Sequence, residues 1–236
     1  MFNKKKRWFK KCLREFEVLD RSQRFGAIRN KDYWPCLNDR GDHPFDTHYE
    51  YHLAWAARCL AKARPSHHTD IGSLMTFSMV ASAFVPITFY DYRPAKISGL
   101  ANVDAGTADL TALPFADNSI KSLSCMHTIE HIGLGRYGDK IDPDGDVTAI
   151  RELQRVLAPG GDLLFVVPIG APRIQFNAHR IYSHDMITKL FKDFELVEYA
   201  LIPDNAHDIG IIIGASKELT DKQRYACGCF WFRKKK

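Results

Sequence analysis

Residues 66–91 read SHHTDIGSLMTFSMVASAFVPITFYD. Ser66–Ile71 has the composition of a short strand, Leu74–Ala83 that of an apolar helix, and Val85–Tyr90 that of a β-rich strand closed by Asp91. The turn between the first strand and the helix is Asp70-Ile71-Gly72-Ser73, small enough for a close approach of backbone to ligand. Working outward, the same alternation continues. A short strand is expected near Ala101–Val103 and another at Ile120–Met126, followed by a glycine-rich loop from His131 to Gly145. A helix over Val147–Leu157, with Asp146 as its N-cap, stops at Ala158-Pro159-Gly160-Gly161, and Leu163–Val167 follows as a buried strand. Ser183–Phe191 reads as a helix capped by Ser183, and Glu195–Ile202 and Ile209–Gly214 as two further strands. Upstream, Thr47–Ala63 has helical spacing and ends before Pro65, whereas residues 21–46 read as irregular. Alternating strands and helices predict an α/β fold, a mostly parallel sheet with both faces covered.

The expected organisation is a basic, aromatic-containing N-terminal segment over residues 1–46, a domain over 47–226 and a basic C-terminal tail over 227–236. The chain has 236 residues, 45% hydrophobic and 26% charged, which suits a soluble globular domain able to bury its core without disulfides. It contains no apolar run long enough to span a bilayer, and its basic start lacks the apolar stretch of a secretory signal. Cys12, Cys36, Cys59, Cys125, Cys227 and Cys229 are scattered, which fits reduced thiols and a cytoplasmic location.

The net charge of +5 is unevenly placed. Lys4, Lys5, Lys6, Arg7, Lys10, Lys11 and Arg14 crowd the start, and Arg233 to Lys236 crowd the end, so the body between them is net acidic. Bases interleaved with Trp8, Phe9, Leu13 and Phe16 at helical spacing suit an anionic membrane surface, at the inner face if the location is cytoplasmic. Phe230-Trp231-Phe232 before the final basic run fits the same idea. Nucleic acid is a poorer partner because it asks for a basic groove on the body as well.

In a doubly wound sheet, ligands bind outside the carboxyl ends of the strands. Asp70, Gly72 and Ser73 follow the first strand. Asp91 ends the second, where a carboxylate can accept both hydroxyls of a ribose. Asp109 with Leu110, within Ala108-Asp109-Leu110-Thr111-Ala112-Leu113-Pro114-Phe115, can hold an adenine amino group.

The order Asp-x-Gly, acid after strand two, Ala-Asp-Leu-x-x-Leu-Pro-Phe, then Leu-x-x-Val-Leu-x-Pro-Gly-Gly-x-Leu resembles the class I S-adenosylmethionine-dependent methyltransferases, over residues 66–216. That resemblance implies a Rossmann-like class I methyltransferase fold, a mostly parallel seven-stranded sheet with an antiparallel last strand and helices on both faces. It also implies S-adenosyl-L-methionine as cofactor, with Asp70, Gly72 and Ser73 at the methionine moiety, Asp91 at the ribose and Asp109 at the adenine. Cys125 and Met126 would touch the cofactor through backbone. The loop departs from the family's acid-x-Gly-x-Gly-x-Gly, retaining only Gly72. The run Ile129 to Asp139, with Asp142-Pro143-Asp144-Gly145 and Phe176-Asn177-Ala178-His179-Arg180, resembles a little-characterised subgroup associated with surface-glycan biosynthesis. Its acceptor would be a small molecule or glycan intermediate, methylated on oxygen. A silent methyltransferase-fold binding module and a nucleic-acid methyltransferase are the alternatives.

His127-Thr128-Ile129-Glu130-His131 matches an inverted zinc-protease signature, but Gly133 and Gly135 cut short the helix that signature needs. The segment also resembles the Glu-x-x-Glu-His of some hydroxyl methyltransferases, which implies a divalent metal ion on His127, Glu130, His131 and His179. The plainer reading makes a histidine the general base for a hydroxyl, with His127 and His131 preferred and His179 the substrate-side alternative. Asp142-Pro143-Asp144-Gly145-Asp146 lacks the remaining ligands of a calcium loop. The long loop His131–Gly145 is expected to cover substrate through Arg136 and Tyr137.

Overall fold

A computed structural model of the protein describes residues 2–36, 45–93 and 96–236. The chain divides into two compact units, residues 1–45 and 46–236. In the first, α1 (Phe2–Leu19) is followed by irregular chain with one 3₁₀ turn, Asn30–Asp32. Phe9, Cys12, Leu13 and Phe16 recur along one side of α1, as the spacing predicts, and Phe9 meets Tyr33 edge-on at 6.0 Å.

The second unit is built on α2 (Thr47–Ala63), α3 (Met75–Ala81), α4 (Gly145–Val156), α5 (His184–Leu190), α6 (Ala206–Ile209) and α7 (Lys217–Asp221). Its strands are β1 (His68–Ile71), β2 (Ile87–Asp91), β3 (Val103–Thr107), β4 (Ile120–Met126), β5 (Leu157–Ile169), β6 (Arg173–Gln175), β7 (His179–Ile181), β8 (Phe194–Ile202), β9 (Ile212–Ile213) and β10 (Ala226–Lys234). The main sheet runs β3-β2-β1-β4-β5-β10-β8-β9, and β6 and β7 form a separate ribbon. Strands β3 to β5 in that order are parallel neighbours, whereas β10 is antiparallel to both β5 and β8. The predicted mostly parallel sheet is present, with the two-residue β9 as an eighth strand at the edge.

One expectation is reversed. Residues 227–236 are not a tail: β10 lies inside the sheet between β5 and β8. Cys227, Cys229, Phe230, Trp231 and Phe232 are all buried, so the aromatic run serves the core and not a membrane surface. Its side chains alternate between the two faces. Phe230 and Phe232 join Leu163, Phe165 and Val167 of β5 under α4 and α5, while Cys227, Cys229 and Trp231 join Leu164 and Val166 under α2 and α3. The basic residues at its end are engaged as well. Arg233 and the Trp231 indole both donate to Asp162, and Lys234 Nζ donates to Asn118 Oδ1 and to the Gln154 and Leu157 carbonyls at the end of α4. The expected antiparallel strand is therefore β10, and the segment 209–214 contributes only the short β9.

The helices follow their sequence signals closely. Along α2, His52, Trp55, Ala56, Cys59 and Leu60 make one buried stripe, and Asp46 caps the N-terminus by accepting from the Tyr49 N–H at 3.2 Å. Trp55 Nε1 ties α2 to β8 by donating to Glu198 Oε1 at 2.8 Å. Ser183 caps α5 as expected. Asp146 does not cap α4: the N-cap position is Asp144, and Asp146 sits buried in the first turn, accepting from the Tyr182 hydroxyl at 2.8 Å beside Arg180 at 3.6 Å.

Candidate active site

Because β1, β2, β3 and β4 are parallel and adjacent, their carboxyl ends open on one side of the sheet. A cavity of about 780 Å³ lies there. It is lined by Gly72, Ser73 and Leu74 after β1, Asp91 at the end of β2, Asp109 and Leu110 after β3, Met126 at the end of β4, and His127 and Thr128 just beyond it. Six of the eight residues expected at a cofactor thus come together. Asp91 Oδ1 accepts from the Arg93 N–H at 2.7 Å, and Asp109 Oδ1 accepts from the Thr111 N–H and hydroxyl. Among the described residues, no hydrogen bond falls on the second oxygen of either carboxylate.

Asp70 and Cys125 do not reach this cavity. Asp70 is fully buried and points into the interior, where the Ser73, Ser78 and Ser124 hydroxyls donate to it at 2.5, 2.7 and 2.5 Å. His68, two residues earlier on the same face of β1, extends the seam: its ring nitrogens meet Ser122 at 2.7 Å and Ser124 at 2.9 Å. Asp70 therefore positions Ser73 without touching a ligand, and Ser73 Oγ in turn accepts from the Met126 N–H at 3.1 Å. Cys125 faces the opposite way, into the core under α4.

Burial pushes the Asp70 carboxyl up to about 6 against an ordinary 3.8, the three hydroxyls only partly offsetting it. A carboxyl whose pKa is raised by folding binds its proton more tightly in the native state, so stability falls as pH rises from about 4 through 6. This group costs about 3 kcal/mol of stability above that window. Asp70→Asn should remove that slope, and urea titrations at pH 4.5 and 7 should show the variant gaining on the native chain at the higher pH.

Gly72 is where the single remaining glycine matters. Its φ is +72°, and a Cβ there would stand 2.7 Å from Thr128 Cγ2, while the Thr128 hydroxyl donates to the Gly72 carbonyl at 2.7 Å. Gly72→Ala should cost about 1–2 kcal/mol from left-handed backbone strain alone, measurable by thermal denaturation, and should distort the cavity wall.

A second cavity, of about 600 Å³, adjoins the first. Tyr49, His127, His131 and Arg136 line both, and the second adds Asp46, His48, Glu130, Asn177, Ala178, His179 and Tyr225. All three histidines expected at the site are therefore present, with Glu130 between two of them. His127 follows β4 at φ +54°, a conformation rare for a residue with a side chain and concentrated at functional sites. Its Nδ1 hydrogen-bonds Glu130 Oε1 at 3.0 Å, its Nε2 meets Cys227 Sγ at 3.3 Å, and the rings of His48, Tyr49 and His52 surround it. Both of its nitrogens are engaged. His131 Nδ1–H instead donates to the Ala178 carbonyl at 2.6 Å, which leaves Nε2 with a lone pair 3.7 Å from Glu130 Oε1. His179 stacks on Tyr225 at 5.1 Å, and Tyr225 stacks on His48 at 5.2 Å, so the tyrosine ring lies between two imidazoles.

Desolvation dominates the electrostatics. It holds His48 and His127 down at about 4, lowers His131 and His179, and lifts buried Glu130 to about 7. The histidines are neutral at physiological pH and able to accept a proton or bind through a lone pair. The four residues expected to hold a metal share the cavity but not a common point. Among the described residues, the ligand atoms lying within 4.8 Å of one another belong to His48, His127 and Cys227, and Glu130, His131 and His179 fall outside that group.

The loop His131–Gly145 is held more firmly than a lid. Gly133 and Gly135 N–H groups donate to Asp139, and buried Arg180 donates to the Ile132, Asp142 and Pro143 carbonyls. Arg136 and Tyr137 do reach the cavities, Tyr137 edge-on to His131 at 5.8 Å and Arg136 Nη1 donating to the Ala178 carbonyl. His48, Tyr49, His52, Tyr225 and Cys227 were not expected here. The signal available was the His48/His52 pair, four residues apart in a helix that also carries Tyr49.

The strand order, with one antiparallel strand set between β5 and β8, and the cavity at the carboxyl ends define the Rossmann-like methyltransferase fold. Solved structures bear this out. The 1,6-didemethyltoxoflavin-N1-methyltransferase of Burkholderia thailandensis, solved with bound 1,6-didemethyltoxoflavin and S-adenosylhomocysteine, superposes with a TM-score of 0.55 at 12% identity, over 83% of this chain and 94% of that one. The N-methyltransferase NodS of Bradyrhizobium japonicum WM9, in complex with S-adenosylhomocysteine, gives 0.54 at 16% identity over 84% and 94%. The [4+2]-cyclase SpnF gives 0.51 at 15% identity over 76% and 81%, so the fold alone does not name a reaction. A family model described as "Caenorhabditis protein of unknown function, DUF268" matches residues 114–226, a span containing His127, Glu130, His131 and His179. No curated protein matches the chain.

Proposed function

We propose that the protein is an S-adenosylmethionine-dependent methyltransferase acting on a hydroxyl of a polar acceptor. The observation that carries this reading is the pair of adjoining cavities: one at the strand ends with Asp91 and Asp109 placed for a nucleoside, the other lined by histidines, with His131 on both. At about 780 Å³ the first is of a size usual for cofactor sites, and it offers carboxylate oxygens for ribose and adenine and a side-chain-free approach at Gly72. When bound there, the cofactor supplies a methyl group made electrophilic by its sulfonium. The chain's own residues do the rest. His131 Nε2, its other nitrogen held by Ala178, accepts the acceptor hydroxyl's proton as the oxygen attacks, and the Glu130 carboxylate beside it offsets the imidazolium charge. Holding both reactants in adjoining cavities supplies proximity.

His48, Arg136, Asn177 and His179 give the second cavity a polar lining suited to an acceptor with several hydroxyls. The resemblance to glycan-associated enzymes makes a sugar or glycan intermediate our choice. Calorimetry with S-adenosylmethionine and S-adenosylhomocysteine tests the cofactor half. Micromolar binding of both is expected, and the absence of binding by either at high micromolar concentration would leave a silent binding module. Scanning sugars and nucleotide sugars for S-adenosylhomocysteine release tests the acceptor half.

Lys4, Arg7, Lys11 and Arg14 of α1, opposite its Phe9, Cys12, Leu13 and Phe16 side, support docking to an anionic membrane surface. Co-sedimentation with phosphatidylserine vesicles but not with phosphatidylcholine vesicles is the expected result, and equal binding to both would count against it.

A further inference from the structure

From the geometry at the floor of the histidine cavity we infer that His48, His127 and Cys227 form a binding site for a soft divalent cation of the zinc type, with one coordination position open to the cavity. The ligand atoms converge from three elements that meet only in the folded chain: the first turn of α2, the residue after β4, and the start of β10. They lie within 4.8 Å of one another, and Cys227 Sγ to His127 Nε2 is 3.3 Å. Tetrahedral zinc with its usual bonds to sulfur and nitrogen separates those two atoms by about 3.6 Å, so a small outward movement admits the ion.

The surroundings of the ligands resemble those of a metal site. His127 turns its other nitrogen to Glu130 Oε1 at 3.0 Å, the carboxylate–histidine arrangement that fixes tautomer and ring orientation at metal centres. The His48 ring is stacked against Tyr225 at 5.2 Å. One thiol and two imidazoles select zinc over magnesium or calcium, and three protein ligands with a vacancy are the pattern of catalytic and not structural zinc. Without metal, the Cys227 thiol and His127 Nε2 share a hydrogen bond. On binding, the ion replaces that proton, and one proton per ion passes to solvent. Two of the three ligands, His48 and His127, line the cavity together with His179 and Asn177, so a fourth position on that side would hold a water molecule or an acceptor oxygen.

The test needs neither cofactor nor acceptor, so it fails or succeeds separately from the methyl-transfer reading. The purified full-length chain is stripped with chelator and titrated with Co²⁺ and Zn²⁺. One ion per chain is expected, with a thiolate-to-cobalt charge-transfer band that zinc abolishes. Cys227→Ser should remove the band. Because Cys227 is buried and its variant could misfold, His48→Ala is the second probe, expected to weaken binding by at least the roughly 100-fold that losing an outer-shell partner can cost. His179→Ala should leave affinity and band unchanged. No stoichiometric binding, a cobalt adduct without the band, or loss in His179→Ala but not in His48→Ala would each overturn the assignment.

Discussion

Deleting residues 227–236 is expected to unfold the second unit completely. The deletion takes Phe230, Trp231 and Phe232 out of the core, each at most 2% exposed. Truncating one buried Phe or Trp to Ala typically costs about 3–5 kcal/mol, and whole domains are stable by only about 5–15 kcal/mol. It also cuts the sheet in two, because among the described residues β8 and β9 join the parallel half through β10 alone. Two rows of backbone N–H and C=O groups, on β5 and β8, would lose their partners together. Loss of the cooperative transition in far-ultraviolet circular dichroism and recovery only in the insoluble fraction would confirm it. Trp231→Ala gives a graded version. It removes the indole packed under α2 and its hydrogen bond to Asp162, and should cost about 3–5 kcal/mol in urea denaturation while the chain still folds.

Replacing His131 with alanine should reduce methyl transfer about 10²–10⁴-fold, the range for a lost general base. The affinity for S-adenosylmethionine should fall far less than turnover does, because Asp91 and Asp109, the carboxylates proposed to hold it, are untouched. His127→Ala makes the contrast. Both nitrogens of His127 are engaged by Glu130 and Cys227, so it is poorly placed to receive a proton, and its loss should disturb the cavity and any bound ion before it disturbs chemistry. Turnover measured as S-adenosylhomocysteine release, beside calorimetric affinity, separates the two. Equal loss of turnover and cofactor binding in His131→Ala would show that the residue supports the fold instead.

The parallel half of the fold was legible because strand and helix periods differ and each β–α junction carries its own punctuation. That Asp91 and Asp109 line the cavity was readable for the same reason: strand ends in such sheets open on one side. The role of Asp70 was hidden by parity. On a strand buried on both faces, hydrophobic pattern does not say which way one acid points, and only the serines of α3 and β4 opposite it reveal that it faces inward. Residues 226–234 misled through their basic end. Their unbroken apolar run is the mark of a central strand, but Arg233 and Lys234 drew attention to charge, and these two cap a buried strand. The histidine cavity was half legible. His127, Glu130 and His131 stand within one short segment, whereas His48 and Cys227 come from distant parts of the sequence and meet them only through tertiary packing.

The position of β10 also sets an order of events during synthesis. Both of its neighbours leave the ribosome before it does, and β8 cannot pair with β5 directly without sealing the gap that β10 must enter. The parallel half can condense early, while β8 waits as an unpaired edge, open to pairing with the wrong strand. Insertion of β10 between two strands already made is a non-local, slow step, and with it Tyr225 and Cys227 arrive at the histidines. A nascent chain should therefore acquire the cavity at its strand ends before the histidine-lined one, and aggregation of β8 during that interval is the hazard this topology carries.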